Sequence, residues 1–424
     1  MKKLLLIAYF YPPLGGPGVQ RPVKLVKYLR KFGWQTDVIT VKNIVFHSYD
    51  AELAKEDAAN SVIRAASLDP MAVLKKLTKN KASHSDNIYF GTPEKIKKFI
   101  RNLFPIDEKI GWLPAAYKAG KKLIKTEKYD AVMATIGPYT NALVAYKLSR
   151  KFNLSLIIDY RDHWTLNPHL KGQTRFNKIH SKRWESRILG QASVITAIGQ
   201  TMQNELIEAF GEQLESKSKV MFNGFDEEDF ENIEIKKSEK TVFSYIGNFY
   251  GYRTPEFFIK AMENLKKNGK LPNDLQIQFV GNYYPESRKY LTVNSVSKQI
   301  TILDQVEHQE ALRLLMSCDA VLLFIASSAG GGILTGKIFE YLRSGKPILA
   351  MIPADGEAAL LLKENAQNFI CAMEDVQSIE ENLIKIYKAV KNQTKFDFRQ
   401  PSELSRENQT REFVEFMDQR LWQK

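Results

Sequence analysis

Short apolar runs alternate with helical patterns along most of the chain, and this alternation restricts the possible folds more than any other feature. Residues 4–10, 131–136 and 155–159 have the length and continuous apolarity of strands that are buried on both faces of a parallel sheet. Helical patterns separate most of these runs, beginning at about residues 19–32. Repeated strand–helix units predict a doubly wound parallel sheet in an α/β fold.

The alternation is interrupted once, by a charged run at 227–240 that has few strand-forming residues, and it resumes at residue 241. A chain of 424 residues is also too long for one ordinary hydrophobic core. We therefore predict two Rossmann-like domains, an interdomain linker and a C-terminal helix that packs back on the first domain. The predicted bounds are 1–228 for the N-terminal domain, 229–240 for the linker, 241–400 for the C-terminal domain and 401–424 for the helix.

Composition is that of a soluble globular protein, with 44% hydrophobic and 11% aromatic residues. The two cysteines, Cys318 and Cys371, form no CxxC pair, which favours free buried thiols in a reducing compartment. The apolar run at 4–10 reaches Tyr11 and Pro12 without a small-residue cleavage site, so we interpret it as the first strand of a cytoplasmic protein. No apolar run approaches the length of a membrane-spanning helix.

The net charge of +13 is unevenly distributed, because residues 71–128 contain 14 Lys or Arg against 5 Asp or Glu. Within this stretch, residues 95–104 alternate cations with apolar residues at helical spacing. Such a basic amphipathic helix fits a peripheral contact with the anionic inner face of the cell membrane. It fits equally well a solvated helix that packs its apolar stripe on the domain. No zinc-knuckle or RNP-type motif supports nucleic-acid binding.

A glycine-rich turn, YPPLGGPGVQRP at 11–22, follows the first predicted strand. A dinucleotide fingerprint would need a third glycine where Arg21 stands, which argues against NAD binding. Gly15 and Gly16 leave room for backbone amides to approach an anion at the start of a helix. A purely structural turn remains the alternative.

The sequence DYRDHW, at 159–164, packs several ionisable residues directly behind a predicted buried strand. Charged groups are costly at such a position unless they are paired or used in function. Asp162 and His163 are therefore candidates for an acid, a base or an orienting group. A salt bridge from Arg161 to a neighbouring Asp, which would brace the loop, is the alternative explanation.

A third glycine-rich stretch begins Gly331-x-x-x-x-Gly336-Lys337, as in an ATP-binding phosphate loop, but Ile338 stands where that motif needs a hydroxyl for Mg²⁺. A P-loop ATPase is thereby disfavoured. The glycines precede a predicted helix, whose unpaired amides and dipole favour a diphosphate. Glu340, one turn into the helix, is placed to accept hydrogen bonds from a ribose. An ordinary helix with an exposed Glu is the alternative.

Four pieces of the chain together carry a family resemblance: YPPLGG (11–16), NGFD (223–226), YIGNFYGYR (245–253) and KIFEYLRSGKPIL (337–349). In this order and spacing the chain resembles the GT-B glycosyltransferases of retaining family 4, which use nucleotide sugars. The resemblance implies two domains that face a cleft, and transfer of a sugar from a UDP- or GDP-linked donor to an acceptor hydroxyl without a metal or other cofactor. The expected acceptor is a glycan or a lipid-linked saccharide in bacterial cell-surface polysaccharide or glycolipid assembly.

The resemblance also implies roles for individual residues at the donor. Glu340 corresponds to the second glutamate of the family's Glu-x7-Glu motif, which grips the ribose. The other expected donor-binding residues are Gly15 and Gly16 in the first domain and Gly247, Arg253, Gly332, Leu334, Thr335 and Lys337 in the second. Asp162 and His163 lie where the family often has a histidine that contacts the transferred sugar and the acceptor. Asp162, His163, Arg253 and Glu340 are the predicted catalytic residues.

Two positions depart from the family pattern. Gly332 stands in place of the first glutamate of Glu-x7-Glu, which normally touches the transferred sugar, and Asn248 replaces one of two cations. Nucleotide binding is still expected. Two alternatives therefore remain open: a nucleotide-sugar 2-epimerase of GT-B-like fold, and a catalytically impaired GT-B-like scaffold protein.

Overall fold

The fold is described from a computed structural model of the chain. The residues described are 1–42, 44, 49–68, 104, 106–167, 174–249, 253–327, 331–367, 369–396, 398–399 and 401–422. The predicted basic helix at 95–104 lies, apart from Phe104, outside the described residues.

The chain divides into two units, the first made of Met1–Asn223 together with Arg406–Lys424. This N-terminal unit is built on a seven-stranded parallel sheet with the order β3-β2-β1-β4-β5-β6-β7. Its strands are β1 Lys2–Ile7, β2 Trp34–Val41, β3 Ser61–Ala65, β4 Ala131–Ile136, β5 Ser155–Tyr160, β6 Val194–Ala197 and β7 Ser218–Val220. Its helices among the described residues are α1 Pro17–Lys31, α2 Ala51–Lys55, α3 Leu113–Thr126, α4 Thr140–Phe152, α5 Arg175–Gln191, α6 Gln200–Phe210 and α13 Arg406–Trp422.

The C-terminal unit comprises Gly224–Ser405. Its six-stranded parallel sheet has the order β10-β9-β8-β11-β12-β13. The strands are β8 Thr241–Ile246, β9 Leu275–Val280, β10 Ile300–Leu303, β11 Ala320–Phe324, β12 Ile348–Met351 and β13 Ile370–Cys371. The helices among the described residues are α7 Glu256–Lys267, α8 Pro285–Thr292, α9 His308–Ser317, α10 Lys337–Ser344, α11 Glu357–Glu364 and α12 Val376–Lys391.

Each sheet is sandwiched in its own apolar core. Every residue of β4 is buried, as is every residue of β11, because parallel strands covered by helices on both faces have no solvent side. The continuous apolar runs in the sequence have this physical origin. The prediction of two Rossmann-like parallel-sheet domains is confirmed.

The C-terminal helix α13 packs on α1 of the N-terminal unit, as predicted. Its buried face includes Phe413 and Met417, both fully removed from solvent. Lys31 Nζ lies 2.8 Å from Glu407 Oε2, an ion pair between the two helices. The chain therefore returns to its first domain after completing the second.

Both sheets reverse their strand order at one point, between β1 and β4 in the first unit and between β8 and β11 in the second. Open α/β sheets bind ligands beyond the carboxyl ends of the strands at such a reversal. In the C-terminal unit, this rule selects the segment after β8, which begins at Gly247.

Cys318 and Cys371 are both buried and free, as predicted. Burial raises the pKa of both thiols, which makes them less reactive. Among the described residues, no helix combines the length and the hydropathy needed to span a bilayer.

Candidate donor site and the loops of the N-terminal unit

Gly247, directly after β8, leaves space that the Lys337 side chain occupies. Its φ of +146° is a conformation that residues with a Cβ rarely adopt, and a Cβ here would collide with Nζ and Cε of Lys337. Gly281, at the end of β9, is similar, because a Cβ there would collide with the Gly247 carbonyl oxygen. The two glycines allow the Lys337 side chain to lie across the carboxyl end of β8.

The N-terminus of α10 lies at the same place. Gly336 caps the helix, and helical hydrogen bonding begins with the Ile338 N–H, which donates to the Thr335 carbonyl at 3.1 Å. Amides that precede the first intrahelical bond have no partner within the helix and carry its positive dipole end. Leu334 is buried and Thr335 half-buried, so these amides occupy a partly desolvated position.

The charge of a second cation, Arg253, acts on Lys337 at the start of α10. Burial and the nearby charge of Arg253 lower the pKa of Lys337 to about 8, while Glu340 opposes the shift. The Lys337 Nζ also lies 5.3 Å from the centre of the Tyr245 ring. Two mutually repelling cations at a helix N-terminus are relieved by a bound anion, and a diphosphate has the charge to do so.

Glu340 lies one turn into α10 and is half-buried. Its Oε1 is 3.9 Å from His308 Nε2, and that nitrogen lies 3.4 Å from Asp229 Oδ2. The imidazole therefore lies between two carboxylates that come from different elements. Sequence reasoning missed His308 and Asp229, since no local motif connects them with Glu340.

Asn248 has a structural part in this unit. Its Oδ1 accepts a hydrogen bond from the Asn282 N–H at 2.8 Å, and its carbonyl accepts one from the Tyr245 hydroxyl at 3.0 Å. The side chain thus holds the segment after β8 against the segment after β9. The positive charge missing at this position is present nearby, on Lys337.

The glycine-rich segment before α10 is tied to the next helix. The Gly331 carbonyl accepts a hydrogen bond from the Glu357 N–H at 2.8 Å, and Gly356 packs closely against Gly331. Gly332, in the position of the absent first glutamate, is half-buried. Close packing of two glycines at this point keeps the approach to α10 fixed.

In the N-terminal unit, the turn after β1 leads into α1 at Gly16. This residue has a φ of +91° and accepts a hydrogen bond from the Val19 N–H at 2.9 Å, while Gly15 is buried. Gly16 therefore caps α1 in a conformation that favours glycine. This geometry agrees with a turn that has a structural role. It also places the start of α1 at the carboxyl end of β1.

Arg21 and Asp159 form a buried ion pair beneath this turn. Arg21 Nη2 lies 2.7 Å from Asp159 Oδ1, and the Thr196 hydroxyl donates to the same oxygen at 2.8 Å. Burial alone would raise the pKa of Asp159, but the Arg21 charge and the hydrogen bonds outweigh burial and hold the pKa below its usual value. Arg21, which stands where a dinucleotide fingerprint would need its third glycine, is thus a structural partner of the DYRDHW loop.

Arg161 braces the loop through backbone groups. It donates to the carbonyl oxygens of Ile136, at 3.1 Å, and of Gly18 and Gly137. Asp159 forms its salt bridge with Arg21, which lies 138 residues away in the chain. Arg161 thereby links the turns that follow β1, β4 and β5.

Asp162 and His163 differ sharply in their surroundings. Asp162 is exposed, whereas His163 is half-buried with its Nε2 only 2.6 Å from Glu205 Oε2. The His163 carbonyl also accepts a hydrogen bond from the Tyr139 hydroxyl at 2.7 Å. Glu205 is a second partner that the sequence did not indicate, and it orients the imidazole.

Two family models match the chain over almost its whole length. The model described as Glycosyltransferase Family 4 matches residues 16–229, about half of the chain, and the model described as Glycosyl transferases group 1 matches residues 225–399. The chain therefore belongs to the family that the first model describes, Glycosyltransferase Family 4. A search of curated protein sequences finds no match.

Solved structures share the fold of the glycosyltransferase at low sequence identity. Anabaena Alr3699/HepE, in complex with UDP and glucose, is 16% identical and has a TM-score of 0.64, with 99% of this chain and 100% of that chain covered. A glycosyltransferase from Rickettsia africae is 14% identical with a TM-score of 0.63, covering 100% and 99%. A putative UDP-N-acetylglucosamine 2-epimerase from Listeria monocytogenes is 10% identical with a TM-score of 0.57, covering 100% and 97%.

The predicted residues of the glycosyltransferase thus fall into two groups, one in each unit. Gly247, Leu334, Thr335, Lys337 and Glu340 lie together at the carboxyl end of β8 and the start of α10, and the charge of Arg253 acts on Lys337. The other group is Gly15, Gly16, Asp162 and His163, on the turns after β1 and β5.

Proposed function

We propose that the glycosyltransferase binds a nucleoside-diphosphate sugar on its C-terminal unit and transfers the sugar to an acceptor hydroxyl. The observation that carries this proposal is the placement of Lys337 at the N-terminus of α10 and against the glycine after β8, where the charge of Arg253 also acts on it. A nucleoside diphosphate is an anion that matches both the charge and the position.

The spacing on α10 supports the assignment of ribose and diphosphate. Lys337 and Glu340 are three residues apart, so they lie on one face of the helix and about 4.5 Å apart along its axis. A diphosphate at Lys337 would place its ribose toward Glu340. The carboxylate of Glu340 accepts hydrogen bonds only, which suits two sugar hydroxyls.

The chemical step follows from these charges. As the bond between the anomeric carbon and the diphosphate breaks, negative charge grows on the leaving phosphate. Lys337, Arg253 and the amides before α10 stabilise that developing charge, and they are in place before the reaction begins. The acceptor hydroxyl attacks the anomeric carbon, and its proton passes to the leaving diphosphate. Retention of configuration remains part of the proposal.

Asp162 is the side chain we propose to act in the N-terminal unit. It is exposed on the turn after β5, where a ligand can reach it, and Glu205 orients the neighbouring His163. We therefore assign Asp162 the contact with the reacting sugar or acceptor, and His163 the orientation of the loop. The proposed acceptor is a glycan or a lipid-linked saccharide in assembly of the bacterial cell surface.

UDP is the nucleotide we propose for the donor. The Anabaena protein was solved with UDP, with UDP-glucose and with UDP and glucose, and Staphylococcus aureus MnaA with UDP. The likeness of fold to the putative 2-epimerase from Listeria also makes a nucleotide-sugar 2-epimerase the second candidate. Incubation of the protein with UDP-N-acetylglucosamine and no acceptor distinguishes them, because only an epimerase would convert the sugar.

Calorimetric titration with UDP, GDP and ADP tests the proposal. We expect selective binding of UDP, weakened about 10- to 100-fold by Glu340→Ala and by Arg253→Ala, since each removes a charged hydrogen-bonding group. Lys260→Ala, an exposed cation on α7 of the same unit, is the matched control and should bind UDP normally. Equal affinity in all three variants, or no binding of any nucleotide by the wild type, would contradict the proposed donor site.

A further inference from the structure

The outer faces of α4 and α5, in the N-terminal unit, carry a dense set of cations. We call these exposed cations the α4–α5 surface: Lys147, Arg150 and Lys151 on α4, and Arg175, Lys178, Lys182, Arg183 and Arg187 on α5. Helix α4 contains no acidic residue. The only acid on α5, Glu185, is buried and accepts hydrogen bonds from the Tyr160 and Thr165 hydroxyls. No exposed acid on either helix offsets the eight positive charges.

Two large apolar side chains are exposed among these cations. Phe176 is 70% exposed and Ile179 is 55% exposed. Helical geometry places Ile179 one turn from Arg175, Lys182 and Arg183, at the middle of the exposed face of α5. An exposed apolar centre with a cationic rim is typical of helices that lie at a membrane interface.

A groove runs beside the same cations. Its volume is about 450 Å³, and it is lined by Lys182, Arg183, Ser186, Arg187, Ala209 and Phe210. The groove is therefore bounded by three cations of α5 and by the end of α6. A phosphate-bearing headgroup fits such a lining better than a neutral ligand does.

We propose that the α4–α5 surface docks on an anionic lipid bilayer. The cations complement the headgroup phosphates, and Phe176 and Ile179 enter the boundary between headgroups and acyl chains. A polynucleotide would also complement the charge, but sequence-independent nucleic-acid sites stack successive bases on several aromatic rings, and the two exposed apolar residues here are a single ring, Phe176, and the aliphatic Ile179. The exposed apolar residues therefore favour a lipid bilayer over a polynucleotide as the partner.

The position of α5 connects docking with catalysis. This helix follows β5, so its N-terminal end, with Phe176 and Ile179, lies at the carboxyl edge of the sheet where the turn carrying Asp162 also lies. A bilayer at this edge would present a lipid-linked acceptor to that turn. This last step rests on the proposed function, whereas docking itself does not.

Sedimentation with vesicles tests docking on the full chain. The vesicles contain phosphatidylcholine alone or with about 30% phosphatidylglycerol, and the salt is varied from about 50 to about 500 mM. We expect binding to the anionic vesicles only, with at least a tenfold loss of affinity at high salt. Lys182→Glu/Arg183→Glu should weaken binding at least tenfold, since it reverses two charges of the surface.

The apolar variant Phe176→Ser/Ile179→Ser should weaken vesicle binding several-fold at constant charge. The matched control, Lys260→Glu/Lys267→Glu, reverses two exposed cations on α7 and should bind vesicles as the wild type does. Unchanged binding in both surface variants would overturn the proposal. So would an equal loss in the control, or binding of a single-stranded oligonucleotide together with failure to bind anionic vesicles.

Calorimetric titration with UDP, performed on the same variants without vesicles, separates the two proposals. We expect the α4–α5 variants to bind UDP normally and to melt at the temperature of the wild type, which shows that the loss is confined to docking. Vesicle binding without any UDP binding would contradict the proposed donor site and leave the docking surface intact.

Discussion

Replacement of Lys337 by Met should make the free protein more stable and the donor complex weaker. Methionine retains the length and apolar stem of lysine but carries no charge. In the free protein, the Lys337 ammonium is half-buried and lies near a second cation, Arg253. The wild type therefore tolerates an unfavourable charge in order to bind an anion, a common trade between stability and function.

The magnitude follows from the pKa. Lowering the pKa from 10.5 to about 8 corresponds to roughly 3 kcal/mol at about 1.4 kcal/mol per pH unit. The unfolded chain holds this proton up to about pH 10.5 and the folded chain only up to about pH 8, so the destabilisation is fully present below pH 8 and disappears as the pH rises toward 10.5. At neutral pH, Lys337→Met should stabilise the protein by about 1–3 kcal/mol.

Thermal melting near neutral pH and at about pH 10 measures the stability gained by Lys337→Met, and the gain in Tm should be smaller at the higher pH. Calorimetric titration with UDP measures the affinity for the donor nucleotide, which loss of a charged hydrogen bond should weaken about 10- to 100-fold. Lys260→Met, at an exposed cation of the same unit, should change neither quantity. A Lys337→Met protein that melts below the wild type at neutral pH and binds UDP normally would refute the reasoning.

Three further predictions concern Lys337, Gly247 and the ion pair of Arg21 with Asp159. The affinity of the wild type for UDP should fall as the pH rises above about 8, because the free protein then loses the Lys337 proton, and titrations of Lys337→Met should not show this fall. Gly247→Ala should destabilise the protein by about 1–3 kcal/mol through its positive φ and displace Lys337, which melting and UDP titration would detect; a variant with wild-type stability and affinity would contradict this. Arg21→Met should cost about 3–5 kcal/mol in a denaturant titration at neutral pH, because it leaves the Asp159 carboxylate buried and unpaired. The double variant Arg21→Met/Asp159→Leu should recover most of that loss, and no recovery would show that the pair is not the cause.

The sequence specified the strands best where both faces are buried. Residues 131–136, a continuous apolar run predicted as a strand, form Ala131–Ile136 with the same bounds, and all of them are buried. Continuous apolar runs allow few alternatives at such positions. The first strand was predicted at 4–10 and spans Lys2–Ile7.

Two edge strands, one in each sheet, were not predicted. The strand Ser61–Ala65 is largely half-buried, and Ile370–Cys371 contains only two residues, so neither forms a long apolar run. The last helix was expected from residue 401, but the structure has a short 3₁₀ turn at Ser402–Leu404 and begins the helix at Arg406. Amphipathic patterns do not distinguish a 3₁₀ turn from the first turn of an α-helix.

The site was predictable where its residues share one motif. Lys337 and Glu340 belong to one helix, and their spacing alone fixes a common face. His308 and Asp229 approach Glu340 from distant parts of the chain, and Arg21 reaches Asp159 in the same way. Such contacts depend on tertiary packing, which no local pattern encodes.

A crystal structure of the protein grown with UDP tests the donor site most directly. We predict a diphosphate in contact with Lys337 Nζ, Arg253 and the amides before α10, and a ribose whose hydroxyls donate to Glu340. Density for UDP at any other place in the chain, with this surface empty, would contradict the account.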